Sequence, residues 1–270
     1  MPGNQKSNLE LVKESLQGSG FPFQTAVVQV IRTSPGWSIH ATEYPWIGPK
    51  QDDQFLDIVA TSNRFVLTVE CKKTRQDTFT FLRPSERDLK SGHTSEFRCL
   101  NFQKFTPIPG PLYFTCETRG IFPNSPSCEF CVVNSKKSDR LLERDASLVI
   151  RATEAFVQDS QEISQISKNL GHPFPLLPVI VTNAQLFAVQ YAPSGVSLET
   201  GEFHEIPKEI EEAPWVRFSK AFTTSKRRDY ANRSVFVVSA KNFAEFLGLL
   251  EFAPEQPKEP MRVPFYKGAL

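Results

Sequence analysis

Two spacings of apolar residues run along the chain. Residues 7–17 read as a short amphipathic helix with Ser7 as its N-cap, stopped by Gly18, Ser19 and Gly20. A second helix is predicted from Pro22, in its first turn, to about Arg32, with Phe23, Ala26, Val27, Val30 and Ile31 on one face. The period then shortens to two. Trp37 to Tyr44 alternates and is rich in β-formers, so it predicts a strand. Residues 45–53 read as a loop, Gln54 to Ala60 as a second strand, 61–64 as a tight turn and Phe65 to Lys72 as a third strand. The short connection makes the last two a hairpin.

Residues 75–137 break this regularity. Polar, Phe-containing and Pro-rich stretches mix there, and the segment reads as an insertion with strands at Pro111 to Glu117 and Phe130 to Val133. Helical spacing returns from Asp139 to about Leu170, with Leu142, Ala146, Val149, Ala152, Phe156, Ile163 and Ile166 near one face. The polar run Gln158 to Gln161 permits a break. Leu177 to Tyr191 reads as two strands joined by a turn at Asn183, Ser234 to Ser239 as a buried apolar strand, and Lys241 to Leu250 as a helix. A Pro- and charge-rich tail begins at about 254. The pattern predicts an α/β domain: one central mixed sheet with helices on its faces, and an inserted subdomain.

Composition changes this picture little. The chain has 270 residues, 40% hydrophobic and 23% charged, which is ordinary for a globular protein. A net charge of +1 argues against bulk attraction to polyanions, so a nucleic-acid partner would need a local basic patch. No signal peptide and no membrane-length apolar run are visible, which makes a cytoplasmic protein the default expectation. Five Cys without a secretion signal read as reduced thiols or metal ligands.

The candidate chemistry lies on the hairpin. In the third strand Leu67, Val69 and Cys71 point one way and Thr68, Glu70 and Lys72 the other. Asp57 sits on the partner strand, and the turn brings it level with the end of the third strand. Two carboxylates and nearby carbonyls are hard ligands suited to Mg²⁺, or Mn²⁺. An ammonium beside them can orient a water or stabilise developing charge. The other reading of these residues is a salt bridge of Glu70 with Lys72 or Lys73 on an exposed strand.

Asp57 followed by Glu70-x-Lys72 at the end of an apolar strand resembles the signature of the PD-(D/E)XK nuclease superfamily, the restriction-endonuclease-like proteins. The resemblance is carried by residues 20–73 and extends to the helix at 139–170 and the strand at 177–182. It implies an α-β-β-β-α-β core, metal held by Asp57 and Glu70, and Lys72 assisting the attacking water. Many members carry an acid early on the first helix; here Gly20, Phe21, Pro22 and Phe23 are followed by Gln24, which could assist through its carbonyl oxygen but brings no charge. Leu56 stands where a Pro is common. The implied activity is Mg²⁺-dependent hydrolysis of DNA phosphodiester bonds, in restriction, repair or phage defence. Many such enzymes are homodimers, although no residue here marks a dimer face.

Three further features compete with plainer readings. Cys128 and Cys131 have the spacing of a zinc knuckle that Cys99 and Cys116 could complete, against unliganded thiols in a reducing compartment. Arg217, Lys220, Lys226, Arg227, Arg228 and Arg233, interleaved with Phe218, Phe222 and Tyr230, could grip a nucleic-acid backbone, against a solvated basic loop. His40, His93, His172 and His204 show no ligand spacing. No phosphate loop, nucleophile elbow or dinucleotide fingerprint is present. The competing classes are a nuclease-fold scaffold without catalysis and a zinc-stabilised interaction module.

Overall fold

The computed structural model describes residues 7–48, 50–74, 78–84, 96–101, 112–117, 125–134, 141–159, 162, 166, 174–204, 210–221 and 232–251. The tail from 254, His93 and His172 lie outside them.

Helix α1 (Asn8–Gly18) starts at a capping box, in which the Ser7 hydroxyl accepts from the Glu10 N–H while the Glu10 carboxylate accepts from the Ser7 N–H. None of its residues is buried. Helix α2 (Phe21–Thr33), with Pro22 in its first turn, buries Val27, Val28 and Ile31. Next come the antiparallel strands β1 (Ser38–Ile47), β2 (Asp53–Thr61) and β3 (Val66–Lys72). β2 and β3 form the expected hairpin, in register from Ile58↔Val69 to Thr61↔Val66. Its turn is closed by the Ser62 hydroxyl, which accepts from the N–H groups of Arg64 and Phe65.

β1 runs on through Pro45, where a loop was expected. It is the edge strand of its sheet, and an edge tolerates a residue with no N–H to give. The long helix breaks at the polar run that permits a break. α3 (Leu141–Gln158) stops where the polar run begins. There the Asp159 carboxylate accepts from the Glu162 N–H, the geometry of a new N-cap. Tyr44 donates to Asp159 and His40 contacts Glu162, tying this corner to β1.

β9 (Phe174–Thr182) returns beside β3 in parallel, and β13 (Asn232–Ser239) lies parallel to β9. Leu176 to Thr182 is buried without interruption, as a strand covered on both faces must be. β12 (Trp215–Ala221) pairs antiparallel with β13. Its basic residues hid the strand pattern from the sequence reading.

The described strands of segment 75–137 are woven into both sheets. β4 (Thr78–Pro84) and β8 (Phe130–Val133) join β10 (Gln185–Tyr191) and β11 (Ile210–Glu212) in a second, four-stranded sheet ordered β11-β10-β4-β8. The hairpin β5 (Glu96–Asn101) and β6 (Leu112–Glu117) pairs with the start of β9, and β7 (Ser127–Cys128) pairs with β12.

Three layers result. One core packs α2 and helix α4 (Phe243–Glu251) on one face of the large sheet, through Ile31, Ile58, Leu67, Val69, Phe236 and Phe246. The other packs α3 and the second sheet on the opposite face, through Leu56, Val59, Phe79, Phe81, Phe156 and Phe218. β3 and β9 leave the large sheet side by side, and their continuations β4 and β10 pair in parallel in the second sheet. At this corner the Asn183 side chain acts as a peptide group would: it accepts from the Thr74 N–H at 2.7 Å and donates to the Thr74 carbonyl at 3.0 Å. No helix among the described residues is long and apolar enough to cross a membrane.

Candidate active site

The ladder between β2 and β3 has its last pair at Ile58↔Val69, so Asp57 stands across from Glu70. On the other side, Thr42↔Ile58 and Tyr44↔Leu56 place Glu43 across from Asp57. At these two positions the alternation of faces fails. Leu56 and Ile58, two apart, belong to opposite cores, while Ala41 and Tyr44, three apart, pack into the same one. Glu43 absorbs the irregularity in a left-handed conformation, φ 53°, unusual for a non-glycine residue. Such strain persists where surrounding structure holds it, and it concentrates at functional sites.

The freed backbone groups find partners in the site. One Asp57 carboxylate oxygen accepts from the Cys71 N–H at 2.6 Å. Gln24, on α2, donates its amide to the Asp57 carbonyl at 3.1 Å and to the Glu43 carboxylate. Both partners are acceptors, so the amide nitrogen must face them. Gln24 thus belongs to the site as a donor bracing two strands, where the sequence suggested its carbonyl oxygen as the useful group.

Thr68, Glu70 and Lys72 face α3, as the alternation predicted. Thr68 shares a 2.6 Å hydrogen bond with Thr153, and the Lys72 ammonium lies 2.8 Å from the Asp145 carboxylate. Lys73 takes no part: its ammonium donates to the carbonyls of Gln17 and Ser19 at the C-terminal end of α1, where a cation suits the helix dipole.

Burial and crowding set the electrostatics. Desolvation pushes Asp57 up to about 6, with the Glu43 charge adding and the Cys71 N–H and Lys72 opposing. Glu70 is pushed up to about 8, first by burial and then by repulsion from Asp57 and Asp145, against the pull of Lys72. The Cys71 thiol, packed on the α2 side, is raised by burial and by the same carboxylates, so it is a protonated small hydrophobe.

Two of these residues escaped the sequence reading. Glu43 sits in an alternating stretch and gave no local signal. Asp145 did give one: it falls between Leu142 and Val149 on the apolar stripe of α3, where an unpartnered carboxylate would be costly.

Among the described residues no three His, Cys, Asp or Glu side chains are grouped to hold a metal ion. The candidate donor set is therefore the Asp57 and Glu70 pair. Mg²⁺ accepts such a set, since it commonly binds one or two carboxylates and keeps several waters. Cys128 and Cys131 are free and buried, and burial raises both thiols, Cys128 to about 12. Cys99 and Cys116 lie on β5 and β6, with side chains outside the description.

Of the basic segment, the described backbone positions of Lys220 and Arg233 lie away from the carboxylates by strand register. Lys220 and Arg233 are backbone register partners in the β12–β13 ladder, while Lys226, Arg227 and Arg228 lie outside the described residues. By register, Glu70 is level with Ile180 and Val237. Arg233 is thus displaced from it by about 13 Å along the strands and about 10 Å across them. Arg217 is half-buried beside Cys128, and desolvation lowers its pKa.

Comparison with protein-family models, with curated protein sequences and with solved structures gave no match.

Proposed function

We propose that the protein is a divalent-metal-dependent nuclease of the restriction-endonuclease-like type, hydrolysing phosphodiester bonds in DNA. The observation that carries this reading is the convergence of Asp57 and Glu70, both raised above the usual carboxylate range, Asp57 by burial and the Glu43 charge, Glu70 by burial and repulsion from Asp57 and Asp145, next to the Lys72 ammonium. A purely structural role explains such an arrangement poorly, because buried like charges work against folding. A divalent cation would relieve the repulsion. The succession α2, β1, β2, β3, α3, β9, with β9 parallel to β3, also supports the reading.

Asp57 and Glu70 would hold the metal through oxygen. Bound there, it would polarise the phosphodiester and lower the pKa of a coordinated water. Gln24 and the Cys71 N–H keep Asp57 aimed, and Lys72 supplies positive charge beside the attacked phosphate. The water would give a proton to solvent as its oxygen bonds to phosphorus, the P–O bond to the leaving sugar oxygen would break, and that oxygen would take up a proton from solvent.

The test is nicking of supercoiled plasmid in Mg²⁺ or Mn²⁺, with an EDTA control and the Asp57→Ala and Lys72→Ala variants. Metal-dependent nicking lost in both variants is expected. A folded wild-type protein that leaves the plasmid intact, or cutting that survives both substitutions, would refute the nuclease reading and favour a scaffold that keeps the fold.

A further inference from the structure

We propose that Asp145 is a positioning residue that fixes the Lys72 ammonium on the α3 side of the site and keeps it from collapsing onto Asp57 and Glu70. This inference rests on the nuclease reading above.

Lys72 ends β3 on a flexible stem, two positions after Glu70 on the same strand face and with Asp57 on the neighbouring strand. Left unrestrained, its ammonium would be drawn to either carboxylate and would neutralise the pair intended for the metal. Asp145 offers a third carboxylate outside that pair. Its oxygen lies 2.8 Å from the ammonium, and its side chain is only 5% exposed, against 25% for Lys72. The other Asp145 oxygen lies 3.7 Å from Arg144.

The support behind Asp145 is stiff. Asp145, Val149 and Thr153 follow one another at helical spacing along α3. Val149 is buried, and Thr153 both bonds Thr68 of β3 and donates back to the Val149 carbonyl at 2.7 Å. The same helix face therefore grips β3 at Thr68 and at Lys72, four residues apart. A stabilising role alone accounts poorly for the pair, since a buried ion pair adds little that apolar packing would not.

The test compares single-turnover nicking by the wild type, Asp145→Asn, Asp145→Glu, Lys72→Ala and the double variant Asp145→Asn with Lys72→Ala. Asp145→Asn should lower the rate about tenfold or more, the scale of a lost charge-assisted contact, with the half-saturating DNA concentration unchanged. Asp145→Glu should recover part of the rate. In the Lys72→Ala background Asp145→Asn should change nothing further, because Asp145 acts through Lys72. Mn²⁺ binding, read by titration calorimetry and needing no turnover, should weaken severalfold in Asp145→Asn, because the freed ammonium competes with the metal for Asp57 and Glu70. A wild-type rate in Asp145→Asn, an equal loss in both backgrounds, or unchanged Mn²⁺ affinity overturns the inference while leaving the nuclease reading standing. A wild-type protein that does not cut overturns both.

Discussion

Replacing Glu70 with glutamine is expected to make the protein more stable in EDTA, increasingly so as the pH rises. Burial, Asp57 and Asp145 lift this carboxyl from 4.5 to about 8 in the folded state. Between those pH values the native protein binds a proton that the unfolded chain has released. Stability from this group is thus complete below about 4.5 and falls as the pH climbs to about 8. At about 1.4 kcal/mol per pH unit the upper bound is about 5 kcal/mol. Glu70 keeps some contact with water and shares its repulsion with Asp57, so about 2–3 kcal/mol is the expected difference at pH 8. Glutamine keeps the shape and has no charge to bury. In a chain of this size the gain corresponds to about 5–10 °C in Tm. Thermal unfolding of both proteins in EDTA, followed by circular dichroism at pH 5, 6, 7 and 8, measures it. Tm curves that stay parallel across this range, or a variant less stable than wild type at pH 8, would refute the reasoning.

Glu43→Asn should relieve strain at φ 53° by about 1 kcal/mol, since asparagine tolerates the left-handed region, while metal-dependent cleavage falls; urea unfolding and plasmid nicking report the two effects. Thr153→Val should cost about 1–3 kcal/mol by stranding the buried Thr68 hydroxyl, and adding Thr68→Val should recover much of that loss, both read as shifts in the urea midpoint.

The parts of the fold legible in the sequence were those with a local cause. Ser7 announces the start of α1, the turn after Thr61 announces the hairpin, and the alternation of Leu67 to Lys72 assigns the faces of β3 correctly. What stayed hidden depended on distant partners. β12 reads as a basic segment until Val235 and Val237 are seen beside it. Pro45 reads as a loop residue until β1 is known to be an edge. The same division holds at the site. Asp57, Glu70 and Lys72 share one hairpin and were readable together, whereas Glu43 enters through a break in alternation that only the packed cores reveal. Asp145 lay in plain view as a charge on an apolar stripe, and the apolar residues around it drew the reading past it.

The corner at Asn183 and Thr74 makes β3 with β4, and β9 with β10, a two-ply ribbon folded once across both sheets. Only Asn183 and Ala184 separate β9 from β10, and the Asn183 amide clamps Thr74, two residues beyond Lys72. Three hydrogen bonds between the Asn183 side chain and Thr74 therefore tie the second sheet to the C-terminal end of β3. The second sheet, remote from the carboxylates, is in this sense part of the mount on which their neighbouring cation is aligned.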